Sequence, residues 1–328
     1  MKLASFRDGD RIRIGAVHHD DTKIFDLAAA ADRDGRAEPA FAAMLNLIEA
    51  GPAALDRARD LLARLGGDAA LNRAVADTAL LSPVPVPPQV RDFSVFSGHI
   101  KQSPAGMQKL AARARGDEAA IPGIKPLAEV PPVYAQQPIY YITNRFSVVG
   151  TNTEVTWPRY SKVMDFELEF GIFIGRGGKN IPADKARDHI FGFAIMNDFS
   201  ARDAQMVEMQ GMLGPAKGKS FDAGNVIGPW IVTADEIPDP YSLKMKATIS
   251  GEVWAEGTSA GMLHSFEDMI AFVTRDETIY PGEFFGSGTM GNGCGLEQDR
   301  FLRHGDVVEL TVEKIGTLRN TVVRQDVG

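Results

Sequence analysis

The sequence predicts an α+β protein with a small N-terminal unit and a larger unit dominated by β-strands. Three observations support this prediction: apolar residues at helical spacing between positions 41 and 65, a proline-rich segment at positions 82–88, and recurrent short β-type runs beyond it. A chain of 328 residues is long enough to bury a sizeable core in one or two units. We expect the domains to comprise residues 1–82 and 83–328.

The N-terminal unit is predicted to contain a hairpin followed by two helices. Apolar and polar residues alternate over positions 3–17 around an Asp-Gly turn signal, a pattern typical of a β-hairpin. Over positions 41–65 the helical spacing of apolar residues is broken at a Gly-Pro pair, which predicts two amphipathic helices. The prolines at 82–88 favour an extended connector, because proline lacks the N–H that a helix or a central strand needs.

The larger unit is predicted to consist mainly of short strands separated by glycine- and proline-rich turns. A helical pattern at residues 100–120 interrupts the strands, and this segment is a candidate lid over a binding site. The β-type runs cover residues 147–150, 165–174, 190–197, 230–234, 243–250 and 307–314.

Composition argues against several classes of protein. The net charge is -8 and the basic residues form no stripe suited to a phosphate backbone, so we expect no nucleic acid partner. The N-terminus lacks the apolar core of a signal peptide and no apolar run approaches membrane-spanning length, so we expect a cytoplasmic protein without a membrane partner. The single cysteine, Cys294, excludes an intramolecular disulfide and a thiolate-cluster metal site. A bound metal is therefore expected to use oxygen or imidazole ligands.

Two groups of acidic residues suggest a metal site. Carboxylates alternate with apolar residues over positions 165–169, so a strand would place the acids on one face, although a solvated surface strand would show the same alternation. Asp198 ends an apolar run, where it needs a partner: the N–H groups of the following turn, Arg202, or a cation. Three carboxylates in one cleft would repel one another unless a cation lay among them. Oxygen ligands suit magnesium, calcium or manganese.

Several ordered segments together resemble the fumarylacetoacetate hydrolase family from about residue 86 to residue 323. The resemblance implies a mixed β-sandwich roll with a smaller N-terminal domain, usually assembled as a homodimer. The segments that carry it are residues 165–169, 192–205, 219–222 with 228–230, and 288–289 with 293–297.

The resemblance also implies a metal centre and a general base. An Asp92-Phe93 pair followed by His99 is similar to the segment that supplies the first metal ligand and the catalytic histidine in eukaryotic-type members. His99 is accordingly the expected base, and Mg²⁺ is the expected ion, with Ca²⁺ and Mn²⁺ as alternatives. The implied metal ligands are Asp92, Glu167, Glu169 and Asp198.

Two further residues are predicted to act with His99. A histidine base needs a carboxylate or carbonyl at its second nitrogen, and Glu297 is the candidate, although a solvent-facing loop acid is the alternative. The family resemblance places Lys219 in the pocket, where an ammonium would stabilise an enolate, although a surface lysine is the more common situation.

Substrate contacts are predicted for Tyr141, Arg202, Gln205 and Thr289. Tyr141 resembles a substrate-contacting tyrosine of the larger hydrolases. Arg202 and Gln205 would bind the polar end of the substrate, with pairing of Arg202 to Asp198 or Asp203 as the alternative. Thr289 lies in a glycine-rich turn suited to a carboxylate rather than to a dinucleotide, because no helix follows the glycines.

The predicted activity is hydrolysis of a carbon–carbon bond in a small acidic β-diketo substrate, an acylpyruvate or a fumarylacetoacetate-like compound, with aromatic catabolism as the expected setting. The alternative within the family is an oxaloacetate-type decarboxylase or tautomerase, or an enol-acid hydratase, all of which need a stabilised enolate. The alternative from another class is a non-catalytic protein that binds a small acid.

Overall fold

The computed structural model describes residues 1–325, in which two β-sheets pack face to face and helices cover the outer face of the larger sheet. The strands are β1 Lys2–Asp8, β2 Arg11–His18, β3 Lys23–Asp26, β4 Asn72–Ala74, β5 Val90–Phe93, β6 Tyr140–Ile142, β7 Val148–Val149, β8 Glu154–Trp157, β9 Met164–Asp165, β10 Leu168–Ile174, β11 Gly178–Lys179, β12 Ile190–Asp198, β13 Ser200–Ala201, β14 Asn225–Thr233, β15 Lys244–Ile249, β16 Glu252–Thr258, β17 Thr278–Ile279, β18 Phe284–Gly286, β19 Val307–Val312 and β20 Gly316–Arg324. The α-helices are α1 Leu27–Arg33, α2 Met44–Ala50, α3 Pro52–Leu65, α4 Ser97–Ala114, α5 Pro132–Gln136, α6 Ala183–Ala186, α7 Arg202–Glu208, α8 Phe266–Val273 and α9 Gly295–Gln298.

The larger sheet has the strand order β4-β3-β2-β1-β14-β12-β10-β18-β5-β6, with β7 paired in parallel to β14. The second sheet has the order β16-β15-β19-β20-β8. Most neighbouring strands run antiparallel, whereas β18 pairs in parallel with β5 and β20 with β8. The predicted α+β class and mixed β-sandwich are confirmed, and each predicted β-type run contains a strand.

Strand β10 shows how the two sheet faces are used. Successive side chains of a strand point to opposite faces, and both faces of β10 are covered, so all seven residues are buried. Phe170 and Ile172 pack in the core between the sheets, whereas Phe173 packs in the core beneath the N-terminal helices. A solvated acidic face on the 165–169 segment is therefore wrong, because Glu169 is fully buried and Glu167 is nearly so.

The N-terminal unit is joined to the rest of the fold by hydrogen bonds. Strands β1 and β2 form the predicted hairpin, and α2 and α3 form the predicted pair of helices, which divides at Gly51. Strand β1 also pairs with β14, so the N-terminal strands extend the large sheet of the second unit. The domain boundary at residue 82 stays a prediction.

The helical segment predicted at residues 100–120 is present as α4, which starts three residues earlier and ends six residues earlier than expected. This start places His99 in the first turn of the helix, a short distance along the chain from the end of β5 at Phe93. Pro104 lies inside the helix. None of the helices within residues 1–325 is long and apolar enough to cross a membrane.

Candidate active site and metal centre

Three buried carboxylates converge on one face of the large sheet. Asp198 ends β12, Glu169 lies in β10 and Asp92 lies in β5, and all three are at most 4% exposed. One oxygen from each lies within 4.8 Å of the others. The ladder between β10 and β12 pairs Glu169 with Met196, two residues before Asp198, so the period of two puts both acids on the same face.

A glycine makes room for this group. Strand β18 runs between β10 and β5, and there Gly286 pairs with Asp92 and with Gly171. A β-carbon on Gly286 would lie 2.6 Å from Oδ1 of Asp92 and 3.3 Å from Oε2 of Glu169. A side chain at this position would therefore fill the space that the carboxylates enclose.

The unpaired oxygens of these acids fit a hard divalent cation. Within residues 1–325, Asp92 Oδ1, Glu169 Oε2 and Asp198 Oδ1 are buried and accept no hydrogen bond. Burial and then the charge of Asp198 raise the pKa of Asp92 well above its usual value, and burial and then Asp92 do the same for Glu169. Buried charge of one sign needs a counterion, and an all-oxygen donor set suits magnesium, calcium or manganese. These residues would hold the ion.

Glu167 has a different environment from the other predicted ligands. Its Oε2 lies 2.5 Å from Nζ of Lys219, and its Oε1 lies 2.8 Å from the guanidinium of Arg202. Burial would raise the pKa of Glu167, but the positive charges of Lys219 and then Arg202 outweigh it and the pKa is lowered. Both oxygens are thus already neutralised by the protein, and coordination of a metal by Glu167 stays a prediction.

Lys219 is buried in the pocket, so the alternative of a surface lysine is wrong. Its ammonium lies 2.6 Å from Oδ2 of Asp198 as well as against Glu167. Burial would lower the pKa of Lys219, but the carboxylates of Asp198 and then Glu167 raise it overall. The side chain therefore carries a fixed positive charge.

The capping alternative for Asp198 is wrong, because its carboxylate contacts Lys219 and α7 begins only at Arg202.

Sequence reasoning missed the role of Asp165. Its carboxylate accepts bonds from Arg202 at 2.8 Å and from the backbone N–H groups of Gly295 and Leu296 at 2.7 and 2.8 Å. Arg202 thus pairs with Asp165 and Glu167, and the suggested pairing with Asp198 or Asp203 is wrong. The signal was present in the alternation that begins at Asp165.

His99 lies at the pocket wall with Glu297 behind it. Nδ1 of His99 is 3.3 Å from Oε1 of Glu297, whose side chain is fully buried, so a solvent-facing Glu297 is wrong. Asp165 positions this acid indirectly, because its bonds to the N–H groups of Gly295 and Leu296 hold the start of α9. The distance suits the predicted orientation of the imidazole by Glu297, and the role of His99 as a base stays a prediction.

The predicted substrate-contacting residues also contact the charged groups. The Tyr141 hydroxyl donates to Asp198 at 2.7 Å, and the Thr289 hydroxyl donates to Glu169 at 3.2 Å. The side-chain oxygen of Gln205 accepts from Arg202 at 2.9 Å. All three residues line the pocket, so they remain available to a ligand while they orient the buried charges.

These side chains surround a cavity of about 410 Å³. Every predicted site residue lines it except Glu297, which lies behind His99. The inner end carries the charged groups. The outer part is formed largely by apolar side chains, namely those of Pro104, Met107, Tyr134, Ile139, Met209 and Pro215.

Comparison with known proteins finds the same family. Residues 111–323 match the model of the fumarylacetoacetate (FAA) hydrolase C-terminal domain. The human mitochondrial oxaloacetate tautomerase FAHD2A is 38% identical over 191 residues, which are 57% of this chain and 60% of that protein. The Bacillus subtilis oxaloacetate tautomerase YisK is 29% identical over 327 residues, which are 98% of this chain and 100% of that protein. The chain thus matches less than two thirds of the human relative and all of the bacterial one.

Solved structures share the fold over the whole chain. Maleylpyruvate hydrolase from Sphingobium sp. SYK-6, in complex with manganese(II) and pyruvate, superposes with a TM-score of 0.70 at 21% identity and covers 99% of this chain and 100% of that one. At this identity the likeness establishes the fold. The resemblance predicted from the ordered segments is confirmed.

Proposed function

Because the chain belongs to the fumarylacetoacetate hydrolase family of enzymes, we propose that it catalyses keto–enol tautomerisation of a small 2-oxo acid of the oxaloacetate type. Two relatives from different organisms bear the name oxaloacetate tautomerase, and one aligns with nearly the whole chain. The reaction moves one proton between the carbon beside the oxo group and the oxo oxygen, so no co-substrate is consumed. It requires a base, stabilisation of the enolate charge and a means of holding the acid.

The observation that carries this proposal is the imidazole of His99 at the pocket wall, with Nδ1 held 3.3 Å from Glu297. A carboxylate at Nδ1 favours the tautomer that leaves Nε2 free to accept a proton. His99 takes a proton from the carbon of the substrate and returns it to the oxygen. One positioned base therefore serves both directions of the isomerisation.

The charged groups at the inner end stabilise the intermediate enolate. Lys219 is kept protonated by Glu167 and Asp198, and its ammonium offsets the charge that develops on the substrate oxygen. A divalent ion held by Asp92, Glu169 and Asp198 would polarise the oxo group. We propose Mg²⁺ for this position, with Mn²⁺ and Ca²⁺ as alternatives, and the manganese complex of the maleylpyruvate hydrolase supports a divalent ion.

The test follows decay of the enol form of oxaloacetate by ultraviolet absorbance, with and without chelator. We expect the metal-loaded protein to accelerate the decay, and His99→Asn to reduce the rate by about 100-fold or more. The same substitution at the exposed His19 is the matched control and should leave the rate unchanged. Unaltered turnover in His99→Asn with its metal content intact would show that another group is the base.

A second function, hydrolysis of an acylpyruvate, is favoured by the outer part of the pocket. Among the lining residues of the described chain, the only cations are Arg202 and Lys219, and both lie at the inner end in contact with carboxylates. A distal carboxylate of a long substrate would thus meet apolar side chains such as Met107 and Met209. An acyl tail suits this surface better. For hydrolysis, His99 would deprotonate water instead of carbon.

Mass spectrometry of products separates the two reactions. Oxaloacetate and a series of acylpyruvates with lengthening alkyl tails are each incubated with the metal-loaded protein. Release of pyruvate and a carboxylic acid identifies hydrolysis, whereas exchange of solvent deuterium into unbroken substrate identifies tautomerisation. Binding of these acids without either reaction would support the non-catalytic alternative.

A further inference from the structure

A cluster of three different donor groups lies behind the pocket wall. Nδ1 of His99, Sγ of Cys294 and the carboxylate of Glu297 approach one another closely: Sγ is 3.9 Å from Nδ1 and 3.6 Å from Oε2, and Nδ1 is 3.3 Å from Oε1. The thiol of Cys294 is buried. The predicted base and its orienting acid account for two members of this cluster, and the proposed reaction does not use the thiol.

These separations match a zinc site. Tetrahedral zinc holds nitrogen and oxygen at about 2.0–2.2 Å and sulfur at about 2.3 Å, which places its ligand atoms about 3.3–3.6 Å apart. The separations of Nδ1 from Oε1 and of Sγ from Oε2 are in this range, with the two oxygens of Glu297 each facing one of the other donors, and the separation of Sγ from Nδ1 is about 0.3 Å longer. Within the described chain, Oε1 of Glu297 is a buried oxygen that accepts no hydrogen bond of normal geometry. Its contact with Nδ1 of His99 at 3.3 Å orients the imidazole and leaves a lone pair of this oxygen free for a metal ion.

The donor set differs in kind from that of the carboxylate site. Imidazole, thiolate and one carboxylate suit a borderline-soft ion such as Zn²⁺, whereas Mg²⁺ takes oxygen ligands and does not favour sulfur. A single cysteine does not make a thiolate cluster, but it suffices as one ligand among three. An ion could enter through the cavity, because His99 lines it.

We propose that His99, Cys294 and Glu297 form a second metal site that takes Zn²⁺, and that zinc bound there inhibits the enzyme by engaging the imidazole and its orienting acid. One thiol proton is released to solvent when the ion binds. The binding does not depend on the reaction assigned above. The inhibition does rest on that proposed function, because it requires His99 to be the base.

Cobalt(II) as a spectroscopic substitute for zinc tests the binding. Protein saturated with Mg²⁺ is titrated with Co²⁺, and we expect a sulfur-to-cobalt charge-transfer band in the near ultraviolet that saturates at one ion per chain. Cys294 is the only cysteine, so any such band arises from this residue and no variant is needed to assign it. Absence of the band would overturn the proposal, whether or not the protein shows tautomerase activity.

Zinc titration in the presence of saturating Mg²⁺ tests the inhibition. We expect Cys294→Ser to require about tenfold more zinc, or more, for half-inhibition than the unaltered protein, because it loses the sulfur ligand. Cys294→Ala is a second variant, which lacks the hydroxyl that serine keeps at this position and so offers no side-chain ligand. Equal inhibition of all three proteins would place the zinc at the carboxylates of Asp92, Glu169 and Asp198 and overturn this mode of inhibition.

Discussion

Glu167 and Glu169 lie two positions apart and are both buried, yet their surroundings are opposite. Glu167 contacts the cations Lys219 and Arg202, and its pKa is lowered. Glu169 lies beside Asp92 and has its pKa raised by burial and by neighbouring acids. The comparison teaches that the neighbours, rather than the residue type or the degree of burial, decide whether a buried carboxylate is charged. The protein itself supplies the countercharge for Glu167, whereas Glu169 has only acids as its charged neighbours in the described chain.

This difference divides the inner pocket into two functional parts. Around Glu167 the charges balance without an ion, so the positions of Lys219 and Arg202 are fixed before any ligand binds. Around Glu169 the neighbouring groups are acids and burial raises its pKa, so this is the part where we propose that a divalent ion binds. Removal of a charge from the part around Glu167 should therefore lower the free energy of unfolding of the metal-free protein. Removal of the charge of Glu169 should raise it.

Removal of the ammonium of Lys219, which contacts both Glu167 and Asp198, should have the largest effect on stability. Lys219→Met keeps an apolar chain of similar length but leaves Asp198 without its cation and Glu167 with Arg202 alone. We expect the free energy of unfolding of the metal-free protein to fall by about 3–5 kcal/mol, because a buried charge is left without compensation. Urea denaturation in the presence of chelator measures this.

The matched control for this variant is the same substitution at an exposed ion pair. Lys179 lies 3.7 Å from Asp276 with half of its side chain exposed, and Lys179→Met should change the stability by less than about 1 kcal/mol. Equal losses of stability in Lys219→Met and Lys179→Met would mean that the buried ion pairs of Lys219 stabilise the protein no more than an exposed ion pair does. Added Mg²⁺ should recover part of the loss only in Lys219→Met.

The second prediction sets the two glutamates directly against each other. Glu167→Gln should destabilise the metal-free protein by about 1–3 kcal/mol, because it weakens the bonds to two buried cations. Glu169→Gln should stabilise the metal-free protein, because it removes one of three repelling carboxylates. Addition of Mg²⁺ should raise the melting temperature of Glu167→Gln more than that of Glu169→Gln. Thermal unfolding with chelator and then with metal checks both signs.

The pH dependence should distinguish the same pair. A raised pKa in the folded state, as for Glu169, gives stability that is present below the unfolded pKa and lost as the pH rises through the folded pKa. The lowered pKa of Glu167 gives stability that is present above the unfolded pKa and lost as the pH falls through the folded one. As the pH is raised from about 5 to about 8, the unaltered metal-free protein should lose stability through Glu169, and Glu169→Gln should lose less. A steeper loss in this variant would contradict the assignment.

The sequence predicted much of the fold because local patterns carried the information. The hairpin, the two N-terminal helices and the β-type runs follow from period and turn residues, and the ordered motifs identified the family. The pairing of β1 with β14 is a contact between residues more than 200 positions apart, which a local pattern does not contain. The family resemblance predicted the same role, metal ligand, for Glu167 and Glu169. Their surroundings differ because a loop and a helix place Lys219 and Arg202 beside Glu167. The alternation pointed to Asp165 as one of the acids on this face, but its bonds to the backbone of α9 are contacts that a local pattern does not contain.

Loss of a single neutral donor should have the smallest effect. The Tyr141 hydroxyl donates to Asp198 at 2.7 Å, so Tyr141→Phe removes one hydrogen bond to the acid that Lys219 also contacts. We expect a loss of about 1 kcal/mol, because the ammonium still compensates the carboxylate. Tyr140→Phe, at a ring that packs on Phe93, is the control and should be near neutral. Kinetics of Tyr141→Phe add a second measurement: a raised KM with unchanged kcat would indicate a substrate contact, whereas a lower kcat with unchanged KM would indicate that the hydroxyl acts mainly by positioning Asp198.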